Sequence, residues 1–389
     1  MKRDNPNRKE NKLSNVMVVV GGQYGSEAKG HVTAQLVREA ARHNHSIVNV
    51  RVAGPNAGHT AYDDEGNKFA FRQVPVGAVI EPIVSVIAAG SEIDLPVLLD
   101  EIHLAKGHGH ILQLLVDENA TMIEYHHKMQ ESEGQMVDRI GSTAKGIGAA
   151  RAERIWRKAR RLRDVPEAVQ LLTEISGVKV CDTVAYLHGQ ASREEVNIIV
   201  EGTQGYGLGV HTDAYPQTTS SDCRAIDFLA MAGISPWHPG IAAVQVMIAC
   251  RVYPIRVAGN SGPMEGETTW EELGLPEERT TVTQKVRRVG AWDAALVKAA
   301  FEANGGVKID EDDIHGQLQL LVSGGPKVTV ALTMLDQVVP GIEGATDIDK
   351  IEPEEFAKVE EWIEKIYRET GAHTAMITTS PKTALLIGA

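Results

Sequence analysis

The 389-residue sequence lacks several features that would assign it to a specialised class of protein. It has three cysteines, Cys181, Cys223 and Cys250, too few and too widely spaced for a disulfide framework or a thiolate metal site. No apolar run approaches the roughly 18 residues of a membrane span, and the charged N-terminus has no apolar region of a signal peptide behind it. We therefore expect a soluble cytoplasmic protein, because sparse cysteine suits a reducing compartment.

An excess of positive charge is also missing, since 39 Lys and Arg stand against 52 Asp and Glu, for a formal net charge of −13. This balance argues against nonspecific nucleic-acid binding, which needs a dominant basic surface. Aromatic residues make up only 5% of the chain. Val, Ile, Leu and Ala therefore supply the apolar content, as they do in the buried strands of a parallel sheet.

Short β-branched runs alternate with helical patterns along the chain. Strands are predicted at Val16–Val20, Ile47–Val52, Ile83–Ala88, Ile111–Val116, Val196–Val200, Val328–Leu332 and Ala375–Thr379. Helices are predicted directly after the first strand and at Leu95–Ala105, Arg151–Arg163, Trp292–Ala303 and Pro353–Thr370. The alternation predicts an α/β fold with a large, mainly parallel central sheet flanked by helices, with helical and loop excursions. We expect a disordered tail over residues 1–14 and a single domain over residues 15–389.

Five polar or glycine-rich loops are suited to binding or catalysis. Loop 1, Gly21–Gly30, joins a strand to a helix N-terminus, where free N–H groups and the helix dipole favour phosphate. It matches neither a Walker A motif nor a GxGxxG fingerprint. The others are loop 2 (Asn56–Thr60), loop 3 (Gly141–Gly148), loop 4 (Glu201–Gly205 with Tyr215–Ser221) and loop 5 (Thr280–Arg288). Taken singly, each also fits an ordinary turn, a connector or a solvated face.

Taken in order, the loops resemble those of adenylosuccinate synthetases, from about Asn15 to the C-terminus. Loop 2 matches the family's N-A-G-H-T without change, and Ile140–Gly148 matches I-G-T-T-x-x-G-I-G with Ser142 for the first threonine. Loop 4 resembles E-G-A-Q-G followed by Y-P-x-V-T-S-S, with Thr203 and Thr218 as the changes. The resemblance implies the family's P-loop-related fold and its reaction. A nucleoside triphosphate phosphorylates the 6-oxygen of IMP, and the amine of L-aspartate then displaces that phosphate at C6.

The resemblance also implies roles for individual residues. His59, Ser26 and Lys29 are expected to be catalytic, with His59 as the acid that stabilises the 6-oxygen, and Mg²⁺ is expected on Ser26 and the Gly58 carbonyl. The nucleotide substrate would be bound by Ser26, Asn56, Thr143, Arg157, Gln204, Thr219 and Lys285, and aspartate by Thr281, Val282, Thr283 and Arg287. The phosphate donor would be bound by Gly25, Glu27, Ala28, Lys29, Gly30, Gly58, His59, Thr60, Thr333, Asp336, Ser380 and Pro381. Arg157 matches an arginine that reaches the neighbouring subunit's phosphate site, which implies a homodimer.

Loop 1 departs from the family at Ser26. The family has an aspartate there, which takes the N1 proton of the purine and ligates magnesium, whereas a serine hydroxyl is not a base at neutral pH. Three interpretations stay open: an inactive paralogue that only binds nucleotide, an ordinary synthetase acting on IMP with help from Glu27, or an altered substrate. In the third, serine removes charge and volume beside purine C2. Guanine carries an amino group at C2, and the serine hydroxyl can accept a hydrogen bond from it.

The third interpretation resembles a bacteriophage branch of the family, whose enzymes carry serine in this loop. They convert dGMP to N6-succinyl-2-amino-2′-deoxyadenylate, a precursor of 2-aminoadenine (diaminopurine) in DNA. Lys285 replaces the family's arginine near the ribose 2′-hydroxyl, as a deoxyribose substrate would explain. Met334 replaces the lysine that packs on the donor base, so ATP or dATP is expected beside GTP. We favour a ligase that joins L-aspartate to dGMP, in the host cytoplasm if the chain is phage-encoded.

Overall fold

The computed structural model describes residues 13–43, 46–52, 54–279, 285–308 and 327–387. Its strands are β1 (Ser14–Gly21), β2 (Ser46–Arg51), β3 (His59–Tyr62), β4 (Lys68–Phe71), β5 (Val84–Ile87), β6 (Glu92–Ile93), β7 (Gln113–Asp117), β8 (Thr121–Met122), β9 (Val178–Cys181), β10 (Val196–Glu201), β11 (Ile241–Arg251), β12 (Ile255–Arg256), β13 (Glu267–Thr268), β14 (Arg288–Gly290), β15 (Lys327–Thr333), β16 (His373–Thr378) and β17 (Ala384–Leu386). Its α-helices are α1 (Lys29–Arg42), α2 (Leu95–Gly107), α3 (Tyr125–Glu133), α4 (Met136–Ile140), α5 (Ile147–Ile155), α6 (Pro166–Thr173), α7 (Thr183–Ala191), α8 (Ala225–Ala232), α9 (Ala294–Ala303) and α10 (Pro353–Thr370).

Ten of these strands form one sheet in the order β17-β16-β15-β11-β1-β10-β2-β5-β7-β9. Nine are parallel to their neighbours, and β17 at the edge runs antiparallel to β16. In β1, the side chains of Val16, Val18 and Val20 pack on one face with α7, α8, α9 and α10, while Val19 packs on the other with α1, α2 and α6. Both faces of the sheet are thus covered, which explains why its strands are continuous apolar runs.

The predicted fold class is confirmed, and the predicted strands and helices lie close to observed ones. Pro353–Thr370 matches α10 at both ends, with proline in its first turn and Gly371 at φ 81° after it. The helix predicted at Arg151–Arg163 is wrong in extent, because α5 ends at Ile155 and Arg157 has a left-handed φ of 59°. Three strands of the sheet, β9, β11 and β17, were not predicted. The Ala- and Gln-containing sequence of β11 also fits a helix, and the other two strands are short.

The N-terminal boundary differs by one residue from the expected one. Ser14 begins β1 and is fully buried, and its hydroxyl donates to the carbonyl oxygen of Arg193 at 2.6 Å. Ser14 therefore belongs to the sheet and not to the expected tail. Residues 1–12 of that tail lie outside the described residues. Among the helices of the described residues, none is both long and apolar enough to cross a membrane.

Candidate active site

The site forms at the carboxyl edge of the sheet, where neighbouring parallel strands end. The strands β15, β11, β1, β10 and β2 lie side by side and point the same way. Loop 1 follows β1, loop 2 follows β2 and loop 4 begins at the end of β10, so the topology brings these three loops together. Ligands of α/β proteins commonly bind at this edge.

Loop 1 is folded around a buried ion pair between Glu27 and Lys29. Glu27 Oε1 accepts the N–H groups of Gln23 (3.1 Å) and Gly25 (2.6 Å), and Oε2 accepts from Lys29 Nζ at 2.7 Å. Lys29 also donates to Gly25 O at 3.1 Å, and both charged side chains are only 1% exposed. Glu27 therefore stabilises the loop from inside, and its carboxylate is already committed to three donors rather than available as a base in place of the missing aspartate.

The end of loop 1 lies directly against loop 2. Ala28 precedes α1 with a left-handed φ of 58°. A Cβ atom added to Gly30 would lie 2.6 Å from His59 Cβ, so glycine is required for this approach. The N-terminus of α1 and His59 therefore lie side by side in the site.

His59 is held by two charged residues from the ends of β2 and β10. Its Nδ1 lies 2.5 Å from Glu201 Oε1 and 2.7 Å from Arg51 Nη1, and Arg51 and Glu201 form an ion pair. All three side chains are buried. Burial, reinforced by Arg51, lowers the pKa of His59 to about 4, so the ring is neutral at pH 7. Its other nitrogen, Nε2, is buried with no hydrogen-bond partner among the described residues.

Loop 4 packs against loop 1, and loop 3 packs against the segment that leads into loop 2. Gln204 has a φ of 61°, and a Cβ atom on Gly21 would lie 2.5 Å from its carbonyl oxygen, so loop 4 packs closely on loop 1. Thr219 donates its N–H to Leu208 O at 2.8 Å. In loop 3, Thr143 is exposed.

Loop 3 is anchored by a carboxylate that the sequence did not single out. Glu131 of α3 accepts the N–H groups of Gly146 and Gly148, both at 2.7 Å, and is buried. A Cβ atom on Gly54 would lie 2.6 Å from Ile147 Cδ1, so loop 3 also contacts the start of the segment that carries Asn56. Asn56 itself is half-buried.

Loop 5 reaches the site through Arg287, whose Nη1 donates to Ser26 Oγ at 2.5 Å. Lys285 is exposed. The expected aspartate-binding residues Thr281, Val282 and Thr283 lie outside the described residues.

The residues expected around the donor base come from β15, β16 and their following turns. Thr333 donates to Glu27 O at 3.3 Å and to Cys250 O at 3.2 Å, which ties loop 1 to β15. Met334 has a φ of 59°, and its N–H donates to Thr378 Oγ1 at 2.7 Å. Burial raises the pKa of the half-buried Asp336, and nearby Glu343 adds to this. The Ser380 hydroxyl accepts from the N–H of Lys382, beside the exposed Pro381.

Arg157 lies at the surface rather than among the loops. Its Nη1 donates to Ile155 O at 2.7 Å. Ile155 and Trp156 next to it are 70% and 73% exposed. Two exposed apolar side chains therefore lie beside Arg157 at the end of α5.

One other cluster, His126, His127 and Glu153, has the spacing of a metal site among the described residues. His127 Nδ1 accepts the N–H of Glu124 at 3.0 Å, so its proton is on Nε2, which donates to Glu153 at 3.0 Å. A metal on Nε2 would need the opposite tautomer, in which two N–H groups face each other. The cluster is therefore a hydrogen-bonded link between α3 and α5.

Comparisons with known proteins show the family of the chain. The family profile described as Adenylosuccinate synthetase matches residues 18–178 and 167–387. The adenylosuccinate synthetase of Pyrococcus sp. (strain ST700) is 32% identical over 370 residues, which cover 94% of this chain and 96% of the relative. That of Methanocaldococcus jannaschii is 31% identical over 369 residues, 94% of each chain.

Two solved structures share the fold. The succinoaminodeoxyadenylate synthetase of cyanophage S-2L, bound to dGMP and dATP as an energy donor, has a TM-score of 0.73 and 26% identity, covering 95% of this chain and 94% of that one. The fully ligated adenylosuccinate synthetase of Plasmodium falciparum has a TM-score of 0.70 and 18% identity, and the match covers 96% of this chain and 100% of that one. At this identity, the likeness shows only that the two chains share a fold. The family profile and the curated relatives cover almost all of the chain. The protein therefore belongs to the adenylosuccinate synthetase family and is a ligase that forms carbon–nitrogen bonds.

Proposed function

We propose that the chain joins L-aspartate to C6 of dGMP and makes N6-succinyl-2-amino-2′-deoxyadenylate. The observation that carries the proposal is Ser26, which stands where the family has aspartate and accepts a hydrogen bond from Arg287. A hydroxyl leaves room beside purine C2 and has a lone pair for the 2-amino group. The solved cyanophage enzyme with dGMP bound, 26% identical to this chain, supports the same substrate.

The reaction takes place in two steps at the edge formed by loops 1, 2 and 4. The γ-phosphoryl group of the donor passes to O6 as the N1 proton passes, through Ser26 or a water beside it, to the free Nε2 of His59. The aspartate amine then attacks C6, loses a proton to solvent and displaces phosphate. An amide-like oxygen is a poor leaving group, whereas a phosphate ester oxygen leaves readily. His59 would contact the 6-oxygen, with its unpartnered Nε2 as the ring nitrogen left for substrate.

The atoms expected to bind Mg²⁺ are Ser26 Oγ and the Gly58 carbonyl, and Mg²⁺ prefers oxygen ligands. Ser26 Oγ already accepts a hydrogen bond from Arg287, so its remaining lone pair can serve either the ion or the 2-amino group. Gly58 is exposed, and an added Cβ atom would meet nothing within 4 Å, so its surroundings are open to a ligand. Bound there, Mg²⁺ would offset charge on the transferring phosphoryl group. The donor phosphates and water would supply its remaining ligands.

We propose an adenine nucleotide, ATP or dATP, as the phosphate donor, with GTP as the alternative. Met334 provides an apolar side chain where the family has a lysine against the base, and Asp336 can accept from an exocyclic amino group of either purine. The cyanophage structure, which contains dATP as an energy donor, supports this choice.

The test is phosphate release by the purified protein with aspartate and Mg²⁺, comparing dGMP, GMP and IMP as acceptors and ATP, dATP and GTP as donors. We expect the highest kcat/KM with dGMP, and mass spectrometry should detect the succinylated product. Turnover with IMP alone would overturn the proposal in favour of ordinary adenylosuccinate synthesis. That alternative is favoured by the 31–32% identity to archaeal adenylosuccinate synthetases. If the protein binds nucleotide but releases no phosphate with ATP, dATP or GTP, it is an inactive paralogue.

We also propose that the chain forms a homodimer in which Arg157 completes the partner's site. The exposed Ile155–Trp156 pair supports burial of this surface by a second copy. Arg157→Ala and His59→Gln should each be inactive alone. A mixture of the two variants should regain part of the activity, because one site of a mixed dimer contains both native residues. A monomer in analytical ultracentrifugation, or no recovery on mixing, would contradict the proposal.

A further inference from the structure

The buried carboxylate of Glu201 contacts three separate segments of the chain. Its Oε1 accepts from Arg51 Nη1 and contacts His59 Nδ1, and its Oε2 accepts the N–H of Val76 at 3.1 Å. The side chain is fully buried. Three segments of the chain therefore depend on one carboxylate: the end of β2, the start of β3 and the turn at Val76.

Arg51 balances the charge of Glu201 and holds loop 2. It is 1% exposed and donates to Ala57 O at 2.7 Å and to Arg72 O at 3.1 Å. An ionised carboxylate buried without a cation would be strongly unfavourable. Arg51 donates hydrogen bonds both to Glu201 and to the Ala57 carbonyl, so it holds loop 2 beside Glu201.

The geometry also selects the tautomer of His59. Its Nδ1 faces a donor, Arg51 Nη1 at 2.7 Å, and an acceptor, Glu201 Oε1 at 2.5 Å. One ring nitrogen cannot donate and accept at once. A nitrogen lone pair facing a carboxylate oxygen at 2.5 Å would be repelled, so the proton lies on Nδ1 and points at Glu201. The unpartnered Nε2 then carries a lone pair on the side of the ring left for substrate. It must gain a proton there, with Glu201 offsetting the charge of the ring, before it can donate to the 6-oxygen.

We propose that Glu201 is a positioning residue for the ligase reaction, which fixes the orientation of His59 and holds its ring in the Nδ1–H tautomer so that Nε2 faces the substrate. This inference rests on the proposed function for the role of His59. A purely structural role is the alternative. Glu101 illustrates that alternative, because it accepts the N–H groups of Arg72, Gln73 and Val74 without contacting His59.

The first experiment compares Glu201→Gln with Glu101→Gln as the matched control. Glutamine keeps the size and the oxygen that accepts from Val76, but removes the charge that attracts the Nδ1 proton. We expect Glu201→Gln to lower kcat by about 100-fold, within the usual effect of an orienting partner on an acid–base residue, while KM for dGMP changes less than about threefold. Glu201→Asp should restore part of kcat. The Glu101→Gln control should change thermal stability but not kcat. Equal loss of kcat in both variants, or a change in KM alone, would overturn the proposal.

The second experiment reads the tautomer directly, by ¹⁵N NMR of the protein labelled in its histidine rings, with the His59 signals assigned from His59→Gln. In the wild type, Nδ1 should give the signal of a protonated nitrogen and Nε2 that of an unprotonated one. In Glu201→Gln, Arg51 should donate to Nδ1 and move the proton to Nε2. An unchanged tautomer would overturn the proposal. This readout needs no turnover, so it separates a failure of the positioning role from a failure of dGMP as the substrate.

Discussion

The guanidinium of Arg287 donates a hydrogen bond of 2.5 Å to the hydroxyl of Ser26, joining loop 5 to loop 1. Arg287 is expected to bind the aspartate carboxylate and Ser26 to lie beside the purine, so with these assignments the two substrates would bind next to each other. With aspartate at position 26, as in the family, the same contact would be an ion pair. A bond to a neutral hydroxyl is weaker and releases Arg287 more readily.

Ser26→Asp should therefore impair the use of dGMP. A carboxylate would fill the space beside C2 and hold Arg287 as an ion pair, and both effects act against the proposed substrates. We expect kcat/KM for dGMP to fall by about 10- to 100-fold, on the order of 1.4–2.7 kcal/mol. Steady-state kinetics with dGMP and IMP would measure this. Faster turnover of dGMP in Ser26→Asp would show that Ser26 does not select the substrate.

Arg287→Ala should raise KM for aspartate while leaving the affinity for dGMP nearly unchanged. The lost contact is a charge-assisted hydrogen bond, worth roughly 1.5–3 kcal/mol, which corresponds to about 10- to 100-fold in affinity. Arg279→Ala is the matched control, because Arg279 lies close in sequence and pairs at the surface with Glu277. A rise in the dissociation constant of dGMP, measured by calorimetry without aspartate, would contradict the assignment of Arg287 to the aspartate site.

Glu27→Gln should destabilise the fold and not only the site. It leaves the ammonium of Lys29 buried beside a neutral amide, and an unpaired buried charge costs about 3–5 kcal/mol. Urea unfolding would measure the loss in the free energy of unfolding. Combining Glu27→Gln with Lys29→Met should recover part of that loss. No recovery in the double variant would mean that the backbone N–H bonds of Glu27, rather than the ion pair, stabilise loop 1.

The stability of the protein should depend on pH through His59. Burial and Arg51 lower its pKa to about 4 in the folded chain, from 6.5. Between these values the unfolded chain binds a proton that the folded chain does not, so the free energy of unfolding rises with pH across this window. The contribution of His59 is complete above pH 6.5 and is lost below about pH 4, and amounts to about 3 kcal/mol. Urea unfolding across the window should show a shallower rise in His59→Gln than in the wild type.

The sequence located the loops of the site but not the network between them. Short apolar runs that end in glycine or polar residues predict buried strands and the edge at which loops 1, 2 and 4 meet. The ion pair of Arg51 with Glu201 could not be predicted, because its members are 150 positions apart and their contact depends on β2 lying beside β10. Glu27 and Lys29 are expected to contact the phosphate donor, and their pairing with each other depends on the fold of loop 1. A charged residue at the end of an apolar strand was the available signal for Arg51 and Glu201.

The order of strands also has a consequence for synthesis of the chain. The central strand β1 is made first, yet its two partners are β10 and β11, with Val18 opposite Val200 and Val246. The first of these neighbours, β10, begins 175 positions after the end of β1, and the second, β11, begins 220 positions after it. Until they are made, a nascent chain carries an apolar strand without its permanent neighbours. Contacts so distant in sequence form slowly, and exposed strand edges promote aggregation. We expect chains truncated before β11 to be insoluble and dependent on chaperones, whereas the 389-residue chain can pair β1 with both of its neighbours.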